Sequence, residues 1–333
     1  MSTVFLVLAG LLLLLALGLI AAGALSYHHS FHRRFDGGGD YFPYFSTLHP
    51  GWSRSPAAFP STRGDTLRGW VFSYPGPKKA LIVLCHGYGM SLDDYLPECE
   101  FFCRRGYTVL AFDGSGTGAS DGLLQGLPQH ILDLGACLDY VNDSPELSSL
   151  PLLLYGHSWG GYSTDCVSLL GDYPIRGIVS ASAFRVSTSA LGPYTERHWG
   201  RTAKLPLLGV QVYQRLKFGS MAAWTAVEGL KRVDAPVLIL QSSDDRIIRY
   251  RDNYEVLEHA FREDPKKTFL PLEGRNHNIT TPPEVDRRKR KLLPALRSGT
   301  ATEAELREMD QLKAQVDEDL LEQFVQFYDN CIG

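Results

Sequence analysis

Gly156-His157-Ser158-Trp159-Gly160-Gly161 is the segment of this chain whose residue types and spacing point most directly to chemistry. It follows the apolar run Leu152-Leu153-Leu154-Tyr155, which reads as a buried strand, and small residues after it open a helix. Strand, G-x-S-x-G and helix in that order is the context of a nucleophile elbow. The serine sits on a sharp strand-to-helix turn in strained backbone geometry, and glycine neighbours let the turn close. A serine hydroxyl is a poor nucleophile until a base takes its proton. The reading therefore requires a base, an acid and oxyanion donors elsewhere in the chain.

An elbow serine is followed in sequence first by its acid and then by its histidine. Of ten histidines, only His198, His259 and His277 follow Ser158 at some distance. His198 precedes the best acid, and His259 falls inside a helical segment. His277 lies in Glu273-Gly274-Arg275-Asn276-His277-Asn278, a loop directly after a strand, where a base can reach the elbow. The acid is expected just past the strand 237–240, where Asp244 and Asp245 compete. Ile247-Ile248 resembles an apolar pair that packs the loop down behind the acid, so Asp245 is preferred, with the role of orienting His277 and stabilising its imidazolium. Asp244 is left to solvent or to capping a turn. The oxyanion donors are expected to be the backbone N–H groups of Trp159 and of Tyr88. Tyr88 sits in His86-Gly87-Tyr88-Gly89, after the aliphatic strand 80–85 and about seventy residues before the elbow. The Trp159 indole is expected to wall an acyl pocket.

The elements that must position these residues alternate. Strands are expected at 67–74, 80–85, 107–112, 152–155, 178–181, 237–240 and 268–272, and helices at 92–105, 129–142, 162–170, 253–262 and 303–328. A hairpin turns at Gly64-Asp65. Short aliphatic strands alternating with amphipathic helices imply a mostly parallel sheet covered on both faces. Between 181 and 237 lie about fifty residues, too many for an ordinary crossover. They include Phe184, Tyr194, Trp199, Leu205, Val210, Phe218 and Trp224, and read as a cap inserted at about 183–234, above the carboxyl ends of the strands.

Taken together, these motifs resemble the α/β-hydrolase superfamily, and within it the serine aminopeptidase and monoacylglycerol-lipase-like branch, over about 60–277 plus a final helix. Phe112-Asp113-Gly114-Ser115-Gly116-Thr117-Gly118-Ala119-Ser120-Asp121-Gly122 is similar to the family's D-x-R-G-x-G-x-S-x-G loop, with Gly114-Ser115 where an Arg-Gly pair is common. The resemblance implies an α/β-hydrolase fold over 60–333, with a mostly parallel central sheet, helices on both faces and a small helical cap. It also implies a Ser158–Asp245–His277 triad. It says little about substrate, because the fold hosts many chemistries. The sequence carries no C-x-x-C pair and no lysine-bearing phosphate loop, so neither a metal nor another cofactor is expected.

The first 32 residues carry no Asp, Glu, Lys or Arg, and 4–25 is almost wholly aliphatic. As a helix that run spans roughly 33 Å, the thickness of a bilayer core. Met1-Ser2-Thr3 lacks the charged start of a signal peptide, although Ala22-Gly23-Ala24 would serve as a cleavage site. Residues 1–26 are therefore read as one uncleaved transmembrane anchor and 27–59 as a juxtamembrane linker, an arrangement similar to that of membrane-anchored bacterial hydrolases of this kind. His28, His29, His32, Arg33 and Arg34 would face the cytoplasm by the positive-inside rule. A single-pass cell-membrane protein with a cytoplasmic domain follows. The six cysteines read as buried free thiols, which suit a reducing compartment. A net charge of −4 disfavours nucleic acid as a partner, and Arg287-Arg288-Lys289-Arg290-Lys291 reads as a solvated linker. The oligomeric state is not encoded in any pattern identified.

The function expected first is a serine hydrolase cleaving a carboxylic ester through an acyl-enzyme. The apolar cap and anchor motivate a lipid-like ester of medium or long acyl chain. A peptidase or amidase with the same triad comes second, with Arg185, Glu196, Arg197 and Arg201 as a polar subsite. A membrane-tethered binding module on an inactive scaffold comes third. Dehalogenase and epoxide hydrolase chemistry is disfavoured, because it uses aspartate at the elbow.

Overall fold

The continuous aliphatic runs become the interior of one eight-stranded sheet, as expected of strands buried on both faces. The computed structural model of the chain describes residues 2–37, 39–187, 189–190 and 204–333. The strands are β1 Ser53–Pro60, β2 Thr66–Ser73, β3 Leu81–Cys85, β4 Thr108–Phe112, β5 Leu152–His157, β6 Ile175–Ala181, β7 Val237–Ser242 and β8 Lys267–Leu272. Their order is β1-β2-β4-β3-β5-β6-β7-β8. β1 and β2 form the hairpin that turns at Gly64, and β2 pairs antiparallel with β4. From β4 to β8 all pairs are parallel.

Helices Leu96–Arg104 and Glu318–Ile332 cover one face, where Phe101, Phe102, Phe324 and Tyr328 pack on Ile82, Leu84 and Tyr155. Tyr328 donates its hydroxyl to the Leu154 carbonyl at 2.7 Å and so pins the last helix to β5. Helices Gln129–Asp143, Ala226–Arg232 and Tyr250–Phe261 cover the other face through Leu134, Leu138, Leu230 and Leu257. Because these strands run parallel, the carboxyl ends of β3, β5, β7 and β8 lie along one edge, from which the site loops rise.

Three expectations about the periphery are corrected. The segment 27–59 is folded for most of its length rather than a free linker. The apolar helix runs Ser2–Phe31, past the boundary at 26, and a short helix follows at Phe42–Leu48. β1 begins at Ser53, and Phe45 and Trp52 are buried. The cause is aromatic content: Trp52 stacks on Phe72 with ring centroids 5.2 Å apart. The basic run 287–291 lies within helix Pro283–Ser298, whose Val285 and Leu292 are buried. The stretch 303–328 divides into helices Glu303–Lys313 and Glu318–Ile332, because the Asp317 carboxylate accepts the Leu320 N–H at 2.9 Å and caps a new helix.

In the stretch 183–234, read from the sequence as a cap, the described residues include helix Lys204–Phe218, a single 3-10 turn at Gly219–Ala223, and helix Ala226–Arg232, which packs on the sheet. The second helix is opened by a capping box between Thr225 and Glu228. Tyr194, Glu196, Arg197, His198, Trp199 and Arg201 lie outside the described residues, as does the Leu205 side chain.

Candidate active site

β5 ends at His157, and helix Trp159–Cys166 begins immediately after Ser158. Ser158 between them holds φ 57° and ψ −109°, a conformation that costs a non-glycine residue energy and that the surrounding packing must impose. The turn has no room for side chains beside it. A Cβ on Gly160 would enter the Cys85 carbonyl of β3, and one on Gly156 would strike the Gly160 carbonyl. These two glycines are there for close backbone approach, which is what the elbow pattern implied.

The loop after β8 brings His277 to this serine. His277 Nδ1–H donates to Asp245 Oδ2 at 2.7 Å, which leaves Nε2 as acceptor for the Ser158 hydroxyl at 2.8 Å. Asp245, in the loop after β7, accepts the N–H groups of Ile247 and Ile248 on Oδ1 at 2.8 and 2.9 Å. Its side chain is fully buried, so these donors compensate a desolvated charge. Asp244 serves the same loop pair differently. Its carboxylate accepts the Gly274 N–H at 2.8 Å, fastening the turn three residues before His277, where Gly274 has φ +67°.

A second set of contacts, which spacing did not reveal, supports the histidine from behind. The His277 carbonyl accepts Ser182 Oγ at 2.9 Å and His157 Nε2 at 3.1 Å. His157 Nδ1 then accepts the Tyr95 hydroxyl at 2.7 Å, and Tyr95 Oη accepts the Gly87 N–H at 2.9 Å. The chain of bonds ties the loop after β3 to the loop after β8. Burial, and then the neighbouring His277, push His157 down to about 3, so it stays neutral and can both donate and accept. The only signal in the sequence was its place beside Ser158.

The two expected oxyanion residues flank the serine. Trp159 is the first residue of its helix, where N–H groups have no intrahelical acceptor. Tyr88 lines one cavity with Ser158, and its ring meets Trp159 at 5.8 Å, nearly edge-on. His86 anchors that loop: it donates Nδ1–H to the Gly87 carbonyl at 2.8 Å, and its Nε2 accepts the Gly114 N–H at 3.0 Å. Burial holds it below its ordinary value, in the neutral form this pattern needs. At the Gly114-Ser115 departure from the family loop, Ser115 donates Oγ and N–H to Asp133 at 2.9 and 2.8 Å.

The Trp159 indole does not wall the pocket, contrary to expectation. It is fully buried, stacks on His130 at 4.3 Å and donates Nε1–H to the Leu127 carbonyl at 2.8 Å. The helix that follows the elbow turns its first side chain down into the protein. The cavity above Ser158, about 270 Å³, is walled by Leu127, Phe184, Ile247, Ile248 and, from the N-terminal helix, Phe31. Ile248 is buried as expected, whereas Ile247 is 54% exposed at the cavity. Arg185, from the proposed polar subsite, is instead tied to Asn253 and Asp252 outside this cavity lining. Among the described residues no group of three His, Cys, Asp or Glu side chains could hold a metal ion. The assembled geometry can deprotonate a serine for attack on a carbonyl while a buried carboxylate stabilises the resulting imidazolium.

Known proteins resemble the chain in sequence and fold. The family model for serine aminopeptidase, S33, matches residues 76–222. A polyketide transferase of Gibberella fujikuroi is 31% identical over 139 residues, which is 39% of this chain and 41% of that protein. The chain thus spans about two fifths of that relative's length. A polyketide transferase of Aspergillus fumigatus is 31% identical over 270 residues, covering 68% of this chain and 91% of that one. Among solved structures, an esterase of Pyrococcus furiosus shares the fold, with a TM-score of 0.55 at 20% identity, over 74% of this chain and 88% of the esterase.

Proposed function

The chain belongs to the α/β-hydrolase superfamily, in its serine aminopeptidase S33 branch, and from that premise we propose that it is a serine hydrolase cleaving a carboxylic ester. It is an α/β hydrolase of esterase- or lipase-like type; the triad and the ester are our reading. The observation that carries this reading is the run from Asp245 through His277 to Ser158, closed by bonds of 2.7 and 2.8 Å at a serine held at positive φ.

In this reading His277 takes the Ser158 proton as Oγ attacks the ester carbonyl. The Tyr88 and Trp159 N–H groups receive the oxyanion, and the alkoxide leaves with the proton from His277. Water, activated by the same imidazole, then releases the acid. The apolar walls support an acyl chain of medium or long length. The helix Thr3–His29, long and apolar enough to cross a membrane, supports a single-pass membrane protein with a lipid-like substrate. We place the domain on the cytoplasmic side, consistent with six free cysteines, five of them buried.

An amidase using the same residues is the second reading, since the same acyl-enzyme forms from an amide, with the amine leaving on the proton from His277. A panel of p-nitrophenyl esters from acetyl to palmitoyl, run beside aminoacyl amides, decides between them. Faster ester turnover that rises with chain length supports the proposal. Faster amide turnover overturns it, and no turnover with an intact fold favours a binding module.

A further inference from the structure

We propose that the N-terminal apolar helix is a wall of the substrate cavity, and that the enzyme draws an anionic ester lipid into that cavity directly from the bilayer. The inference rests on the ester-hydrolase reading above and names its substrate class.

The helix changes character along its length. Val4, Leu8, Leu12 and Leu15 are 54–66% exposed, as lipid-facing residues would be. Further on, Gly23, Tyr27 and Phe31 recur at intervals of four on one helix face, and all three are buried. Gly23 meets Gly209 of the cap helix Lys204–Phe218 backbone to backbone, and neither position has space for a side chain. Small residues at a crossing are how helices approach closely where no water drives association. The cap helix thus lies against the apolar span at a level about 9 Å inside its end, counted from His29 at 1.5 Å per residue. Its Leu208 and Leu216 are 52% and 75% exposed, with Gln211 and Arg215 exposed between them.

The end of the helix enters the site itself. Phe31, two residues beyond the span, lines the cavity that holds Ser158 and touches Tyr88 edge-on at 5.8 Å. The chain after it is clamped to the domain. Arg34 donates to the carbonyls of Gly118, Ser120 and Gly122 at 2.8–3.0 Å, and Leu124 N–H donates to the Arg33 carbonyl at 3.0 Å. A membrane-spanning helix fixed in this way puts the cavity at the interface, the depth of lipid ester groups. An acyl chain can then pass along Phe31, Leu127, Phe184 and Ile248 without crossing water.

Arg33 supplies the head-group preference. It lines the same cavity, hydrogen-bonds the Tyr88 hydroxyl at 3.3 Å and lies 4.5 Å over the Phe35 ring. Among the described residues no carboxylate is within ion-pair reach of it. A guanidinium left with neutral partners at the mouth of an apolar cavity favours an anionic head group. The acyl group passes to Ser158 Oγ as the ester C–O bond breaks, the lipid alcohol leaves with the proton from His277, and water completes the cycle.

The test uses the full chain in nanodiscs, with fluorogenic phosphatidylglycerol, its phosphatidylcholine counterpart and soluble p-nitrophenyl acetate as substrates. Wild type is expected to favour phosphatidylglycerol. Gly23→Leu, which pries the helix from the cap, should lower bilayer-lipid turnover at least about tenfold and leave acetate hydrolysis unchanged. Arg33→Gln should lower the phosphatidylglycerol-to-phosphatidylcholine ratio about tenfold, the loss of one charge-assisted bond. Independently, a photoreactive phosphatidylglycerol in the bilayer should cross-link Ser158→Ala protein within 23–35 and 204–218. Equal turnover of the two lipids in every variant, or cross-links confined to 4–17, overturns the inference. Loss of acetate hydrolysis and of fluorophosphonate labelling in wild type would instead overturn the underlying serine-hydrolase reading.

Discussion

His277 Nε2 stands 2.8 Å from Ser158 Oγ although the two residues are 119 positions apart, and Asp245 fixes which nitrogen faces the serine. Because Nδ1 is committed to Asp245, the Nε2 lone pair is free for the hydroxyl proton, the protonation pattern an acyl transfer needs. Removing the imidazole should therefore remove chemistry rather than fold. His277→Ala is expected to lower kcat on p-nitrophenyl butyrate on the order of 10⁵-fold with an unchanged melting transition. A drop below about tenfold in kcat would mean that another group serves as base.

The adjacent aspartates should separate cleanly. Asp245→Asn reverses a hydrogen bond to His277 and presents the wrong tautomer, for an expected loss of about 10⁴-fold in kcat. Asp244→Asn keeps an acceptor for the Gly274 N–H and should cost less than about fivefold, since only a charge-assisted bond is weakened. Equal losses in the two variants would contradict the assignment.

His157 makes a prediction about acid stability. Its value falls from 6.5 unfolded to about 3 folded, so the unfolded chain binds the extra proton between these limits. The stability His157 contributes is then complete above pH 6.5 and is lost as pH falls toward 3, at about 1.4 kcal/mol per pH unit. Asp165, raised by burial to about 7, has the opposite slope, so the test is a difference. Urea unfolding of wild type and His157→Gln at pH 7 and 5 should show the wild type losing more stability, by about 2 kcal/mol over that interval. Parallel losses would show that His157 is not held neutral.

The buried Trp159 indole separates stability from specificity. Trp159→Ala should cost about 3–5 kcal/mol by calorimetry or denaturant titration, the range for an emptied aromatic site. The ratio of octanoate to acetate ester turnover should stay within about twofold. Phe184→Ala, at the cavity wall, should move that ratio severalfold, with a stability cost of its own because the ring is buried against Tyr162. The reverse pattern would restore Trp159 to the pocket.

The alternation of strands and helices, the elbow and the positions of the three residues that meet at it were legible because each rests on local signals: aliphatic runs, Gly156 and Gly160 where backbones touch, and loops after strands; the order of the strands in the sheet was not. The choice of Asp245 over Asp244 was legible through Ile247-Ile248, although the structure shows that their backbone N–H groups, not their side chains alone, hold the carboxylate. What was missed depends on long-range packing. The orientation of the Trp159 indole follows from His130 and Leu127, and no spacing encodes those contacts. The Tyr95–His157–His277 network joins three segments far apart in sequence: a helical turn ending at Tyr95, the end of β5 at His157 and the loop after β8. Phe31 enters the cavity because a helix read as an anchor continues beyond its apolar span.

The most direct measurement is mass-spectrometric mapping of the adduct formed by a fluorophosphonate probe on the full chain. One modified peptide is expected, carrying the label on Ser158, with labelling slowed by orders of magnitude in His277→Ala. A folded protein that takes no label, or takes it on any other residue, would contradict this expectation.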